Sequence, residues 1–89
     1  MDENLIRVEG HVQGVGFREF CRSEAVGLQL TGFARNLHDG RVEVLVQGDQ
    51  AAIDILIERL REGPRMAAVH DVAVFKRTPG TPFVSFEVQ

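Results

Sequence analysis

The apolar residues of this chain switch period at a short glycine-rich stretch, and that switch narrows the folds open to it more than any other feature. Ile6, Val8 and Gly10 alternate with Arg7 and Glu9, the period of two that marks a strand. The stretch His11-Val12-Gln13-Gly14-Val15-Gly16 follows. Beyond it Phe17, Phe20, Cys21, Ala25 and Leu28 fall at helical spacing, with Gly27 as the expected stop. Leu30 to Leu37 then reads as a second strand, and Val42, Val44 and Val46 as part of a third. His38-Asp39-Gly40 joins them, and Asp-Gly between apolar runs is a strong hairpin signal. Asp49 stands where an N-cap is expected, before a second helical stripe of Ile53, Leu56, Ile57 and Leu60 that Gly63-Pro64 ends. Val69 to Phe75 reads as a fourth strand, Thr78-Pro79-Gly80 as a turn, and Val84, Phe86 and Val88 as a last strand.

The order is β-α-β-β-α-β with a short extra C-terminal strand. An α+β fold follows, a ferredoxin-like α/β sandwich with two helices on one face of an antiparallel sheet. The 89 residues contain no linker, repeat or low-complexity segment, so residues 1–89 are expected to form a single domain. The 44% of hydrophobic residues is enough for a core, although a domain of this size buries only a modest share of its surface.

The chemistry concentrates in the turn between the first strand and the first helix. Gly14 and Gly16 relax the steric limits on the backbone, so that successive N–H groups can face inward as an anion nest. The helix that begins near Phe17 adds the positive end of its dipole. Arg18 lies in the first helical turn, where its guanidinium can fold back over the loop and offer paired donors to a phosphate. Other phosphate motifs do not fit. A dinucleotide fingerprint needs glycine three residues after Gly16, where Glu19 stands. The Gly-Lys-Ser/Thr of a P-loop is missing. A loop of the tyrosine-phosphatase kind needs Cys before Arg, whereas Cys21 follows Arg18.

The run Gly10-His11-Val12-Gln13-Gly14-Val15-Gly16-Phe17-Arg18 resembles the acylphosphatase signature G-x-V-Q-G-V-x-F-R. The block from Thr31 to Glu43, with Gly32, Phe33, Asn36, Asp39 and Gly40, is similar to the family's second pattern, G-W/F-V/A-x-N-x-x-D-G-x-V-E. Gly63-Pro64 and the Phe-x-x-Phe of Phe83 to Phe86 also fit, and the resemblance spans nearly the whole chain. It implies the same sandwich fold and the hydrolysis of acyl phosphates to a carboxylate and inorganic phosphate. It implies no metal and no cofactor. Arg18 would bind the substrate phosphate, and the loop residues Val12, Gln13, Gly14, Val15, Gly16 and Phe17 would cradle it through their amides. Asn36 would position the attacking water. Without the resemblance, Asn36 before Asp-Gly reads as an ordinary turn residue. On alternation alone, Asn36 reaches the anion loop only if its strand lies near the first. Leu37 departs from members that carry Thr or Ser there, where a hydroxyl would help to orient the amide.

The remaining candidates have plainer readings. His11, His38 and His70 show no metal-ligand spacing and read as surface or turn residues. Cys21, on the apolar helix face, reads as a buried inert thiol. Arg35 and Arg41 read as solvated flanks of the hairpin, and Glu58 to Glu62 as a charged helix face. The net charge of −3 lacks the basic excess of a nucleic-acid binder, so no nucleic-acid partner is expected. An RNA-recognition sandwich would also need aromatics on its central strands, and Arg41 to Gln47 has none. A non-catalytic anion-binding module is the other rival, against which the presence of both Arg18 and Asn36 counts. One cysteine allows no internal disulfide, which fits a cytoplasmic setting. The N-terminus has no signal-peptide pattern, and no apolar run approaches the ~18–20 residues that span a bilayer, so no membrane partner is expected. A monomer acting on a small acyl phosphate is the expected form.

Overall fold

A computed structural model of the protein describes all residues from Met1 to Gln89. The elements are β1 (Asp2–His11), α1 (Phe17–Gly27), β2 (Thr31–Asn36), β3 (Val42–Gly48), α2 (Gln50–Glu62), β4 (Ala68–Arg77) and β5 (Phe86–Val88). The strands form one sheet in the order β4-β1-β3-β2-β5. Strand alternation sends Ile6, Val8, Ala34, Val42, Val44 and Val46 to the face that the helices cover. There they meet Phe17, Cys21 and Ala25 of α1 and Ile53, Leu56 and Leu60 of α2 in one buried cluster. The ferredoxin-like α+β sandwich expected from the periodicity is the fold observed.

The sheet is antiparallel from β4 to β2, but β5 joins β2 in parallel and makes it mixed. The reason is where the chain leaves β4. Arg77 lies opposite Glu3, at the end of the sheet where β2 begins with Thr31 opposite Gln47. Residues 78–85 cross to β2 at that end, and β5 then runs alongside it in the same direction. Buried polar groups that periodicity does not reveal hold this crossing. Gln47 Nε2 donates to Glu3 Oε1 at 2.7 Å and to the Thr81 carbonyl at 3.1 Å, and Phe83 N donates to Gln47 Oε1 at 2.9 Å.

Several boundaries move from their expected places. The last strand starts at Phe86, and Val84 is almost fully exposed because it lies on the crossing segment. α1 runs through Gly27, and its exit is made by Gln29 in the left-handed region, with Leu30 N bonded to Ala25 O at 2.9 Å. Asp49 does occupy the N-cap of α2, but its side chain makes no capping bond; its carbonyl accepts Ile53 N at 3.0 Å. Arg35 and Arg41 are engaged rather than freely solvated. Arg41 binds Asp39 at 2.7 Å and Arg35 binds Glu43 at 2.6 Å.

Glu43 sits on the sheet face away from the helices, opposite Arg7 on β1 and Arg35 on β2. Burial pushes its carboxyl up, and the hydrogen bonds and charges of Arg7 and Arg35 outweigh this and hold it below the usual carboxylate range. A depressed folded value means that the fold favours the charged form. The contribution is therefore complete above the unfolded value of about 4.3 and is lost as pH falls through the folded value. Glu43→Gln is expected to lower stability by about 1 kcal/mol at pH 7, and urea melts below about pH 4 should show the gap to wild type closing. A gap that does not change with pH would contradict the assignment.

Cys21 is fully buried, and desolvation pushes its thiol up to about 12. Since the thiolate is the reactive form, iodoacetamide at pH 8 should leave native protein unmodified, and labelling should follow global unfolding in urea. Fast labelling of the native protein would contradict the burial.

Candidate active site

β1 ends at His11, and the chain passes through residues 12–16 into α1. Gly14 and Gly16 both take left-handed conformations, with φ of 76° and 78°. That geometry is inexpensive for glycine alone and lets amides on both sides of Val15 turn the same way. Gly16 is also the N-cap of α1, so no side chain satisfies the first helical donors. The first bond of the helix runs from Phe20 N to Gly16 O at 3.0 Å, which leaves the amides of Phe17, Arg18 and Glu19 without intrahelical acceptors. An uncapped helix N-terminus next to a left-handed glycine turn presents unpaired amide donors of the kind that suit an anion. Phe17 anchors it, with its side chain buried in the core and its ring 6.0 Å from that of Phe20.

These groups open on a cleft of about 280 Å³. Val12, Gly14, Gly16, Phe17 and Arg18 line one side of it, and Asn36 and Val88 also border it, with Glu19 contributing from the helix. Arg18 and Asn36, 18 positions apart in sequence, thus share one cleft. Arg18 Nη1 donates to the Gln89 carbonyl, and Gln89 N in turn donates to Ala34 O at 2.9 Å. The guanidinium is therefore tied to the β2–β5 edge, and its remaining N–H donors make no other hydrogen bond within the chain.

Gln13 and Val15 do not line the cleft with the others. The Gln13 side chain turns instead to the β2–β3 hairpin, where its Nε2 donates to Leu37 O at 2.8 Å and Arg41 O at 2.9 Å. The condition that β2 lie near β1 also takes an unexpected form. β3 separates the two strands, and Asn36 comes to the cleft because the loop after β1 bends across the end of β3. Three groups at or beside the cleft escape sequence reading. Val88 and the Gln89 carbonyl depend on the parallel docking of β5, for which three residues carry no signal. Glu19 follows Arg18 directly, and Arg22 holds it at 2.6 Å. No three His, Cys, Asp or Glu side chains converge in an arrangement that would hold a metal ion. No helix is long and apolar enough to cross a membrane.

Comparisons with known proteins bear on this geometry. The family model described as Acylphosphatase matches residues 5–88. An acylphosphatase of Thermus thermophilus is 48% identical over 67 residues, covering 75% of this chain and 76% of its own. The crystal structure of acylphosphatase from Bacillus subtilis superposes with a TM-score of 0.96 at 35% identity, over 100% of this chain and 99% of that one. An acylphosphatase structure from Coxiella burnetii gives a TM-score of 0.94 at 41% identity, over 99% and 92% of the two chains. A cleft that joins a glycine-turned helix N-terminus, an arginine and an asparagine therefore occurs here on the family's fold and within its sequence pattern, and the chain belongs to the acylphosphatase family.

Proposed function

We propose that this cleft carries out the acylphosphatase reaction with Arg18 and the loop amides of residues 12–17 holding the phosphate of a small acyl phosphate, while Asn36 orients the water that attacks phosphorus. The observation that carries the reading is the opening of Arg18 and Asn36 on one cleft beside uncapped amides. The chemistry asks for little else. The leaving group is a carboxylate whose conjugate acid has a pKa of about 4–5, so it departs without a general acid. The transition state of phosphoryl transfer is loose, and the water needs little help from a base. Positioning and fixed donors aimed at the phosphoryl oxygens then supply the catalysis. Every group in this scheme comes from one chain, which suits action as a monomeric single domain. The buried lone thiol suits a reducing, cytoplasmic setting. On the open sheet face Glu43 lies between Arg7 and Arg35 and offsets one of their two charges, and with a net charge of −3 the chain lacks the basic excess that favours nucleic acid as a partner.

Chelator-treated protein should hydrolyse benzoyl phosphate, with inorganic phosphate as a competitive inhibitor. Protein that binds phosphate but leaves benzoyl phosphate intact would instead be an anion-binding module.

A further inference from the structure

Gln13 lies in the anion loop, yet its side chain serves the other half of the site. Both of its amide hydrogens are used, one on Leu37 O at 2.8 Å and one on Arg41 O at 2.9 Å. Those carbonyls close the hairpin that carries Asn36. Leu37 N donates to Arg41 O at 2.8 Å, and Gly40 N donates to Leu37 O at 3.2 Å, so each carbonyl accepts two donors. The sheet ladder cannot make this connection. β3 pairs with β1 as far as Val8 and with β2 as far as Asn36, and both of those residues lie opposite Val42, the first residue of β3. Past Val42 the phosphate loop and the end of β2 flank an opening that no strand fills. The Gln13 side chain crosses it.

We propose that Gln13 is a positioning residue for water attack: it fixes the distance and angle between the phosphate cradle and the Asn36 carboxamide through the adjoining Leu37 backbone. The inference rests on the role given to Asn36 above. The chemistry of the contact explains why glutamine suits it. A glutamate of the same shape has no donor and would set a negative charge against two carbonyls. An asparagine is one methylene too short to bridge both. The link also bears on Leu37, which has no hydroxyl to steady its neighbour. Its carbonyl, held by Gln13, steadies the same segment from the main chain.

The test is a double-mutant cycle between Gln13→Ala and Asn36→Ala, with Gln13→Glu as the isosteric control. A displacement of about 1 Å at a reacting centre costs about 10²-fold in rate. Gln13→Ala and Gln13→Glu should each lower kcat on benzoyl phosphate by about 30–100-fold and change the inhibition constant of inorganic phosphate by less than about 3-fold. In the Asn36→Ala background, Gln13→Ala should lower kcat by no more than about 2-fold further. An equal kcat loss in both backgrounds would overturn the proposal, as would phosphate binding that falls in step with kcat or variants that no longer fold. Full activity in Asn36→Ala alone would mark failure of the Asn36 assignment itself.

Discussion

Arg18→Ala should lower kcat/KM on benzoyl phosphate by at least about 10³-fold and weaken inorganic phosphate binding by about 30–100-fold. The guanidinium is the one cationic side chain that lines the cleft, and in the proposed mechanism it meets the charge of the phosphoryl oxygens in both ground and transition states. Both constants should therefore suffer. Its Nη1 donates to the main-chain oxygen of Gln89, which places the guanidinium beside the β2–β5 edge. Arg18→Lys should recover only a small part of the loss, since an ammonium offers a point charge in place of a planar fork. Unchanged phosphate affinity in Arg18→Ala would remove Arg18 from the site.

Asn36→Ala should separate the two constants. Its kcat is expected to fall by about 10²–10³-fold, while phosphate binding stays within about 3-fold of wild type. The side chain is exposed at the cleft wall and contributes nothing to the core, so thermal stability should change by less than about 1 kcal/mol. A carboxamide can both accept from and donate to a water, which lets it aim a lone pair without removing a proton. If Asn36→Ala instead lost phosphate binding as severely as Arg18→Ala, the residue would be a ligand for the phosphate and the division of roles would fail.

Much of the fold is legible in the sequence because its core residues repeat at clear periods. Phe17, Cys21 and Ala25 mark one helix face, Ile53, Leu56 and Leu60 the other, and the valines of β3 a strand buried against both. Phe33 and Arg35 mark the sheet face that the helices leave uncovered. The site is legible where residue type carries the geometry. Gly14 and Gly16 announce left-handed backbone, and the helical register places Arg18 at the cleft that Asn36 also lines. What stays hidden depends on side chains that leave their own element. A glutamine in a glycine-rich loop gives no sign that it reaches a hairpin 24 residues away. Glu3 and Gln47 look like solvated strand positions until the 78–85 crossing covers them. The parallel addition of β5 depends on where β4 ends, which no local pattern specifies.

Hydrolysis of benzoyl phosphate in ¹⁸O-labelled water, with chelator-treated protein, tests the central claim most directly. If the loop and Arg18 hold the phosphoryl group while Asn36 aims water at phosphorus, the label must appear in inorganic phosphate and the benzoate must remain unlabelled. Label in the benzoate would mean attack at the carbonyl carbon and would contradict the mechanism.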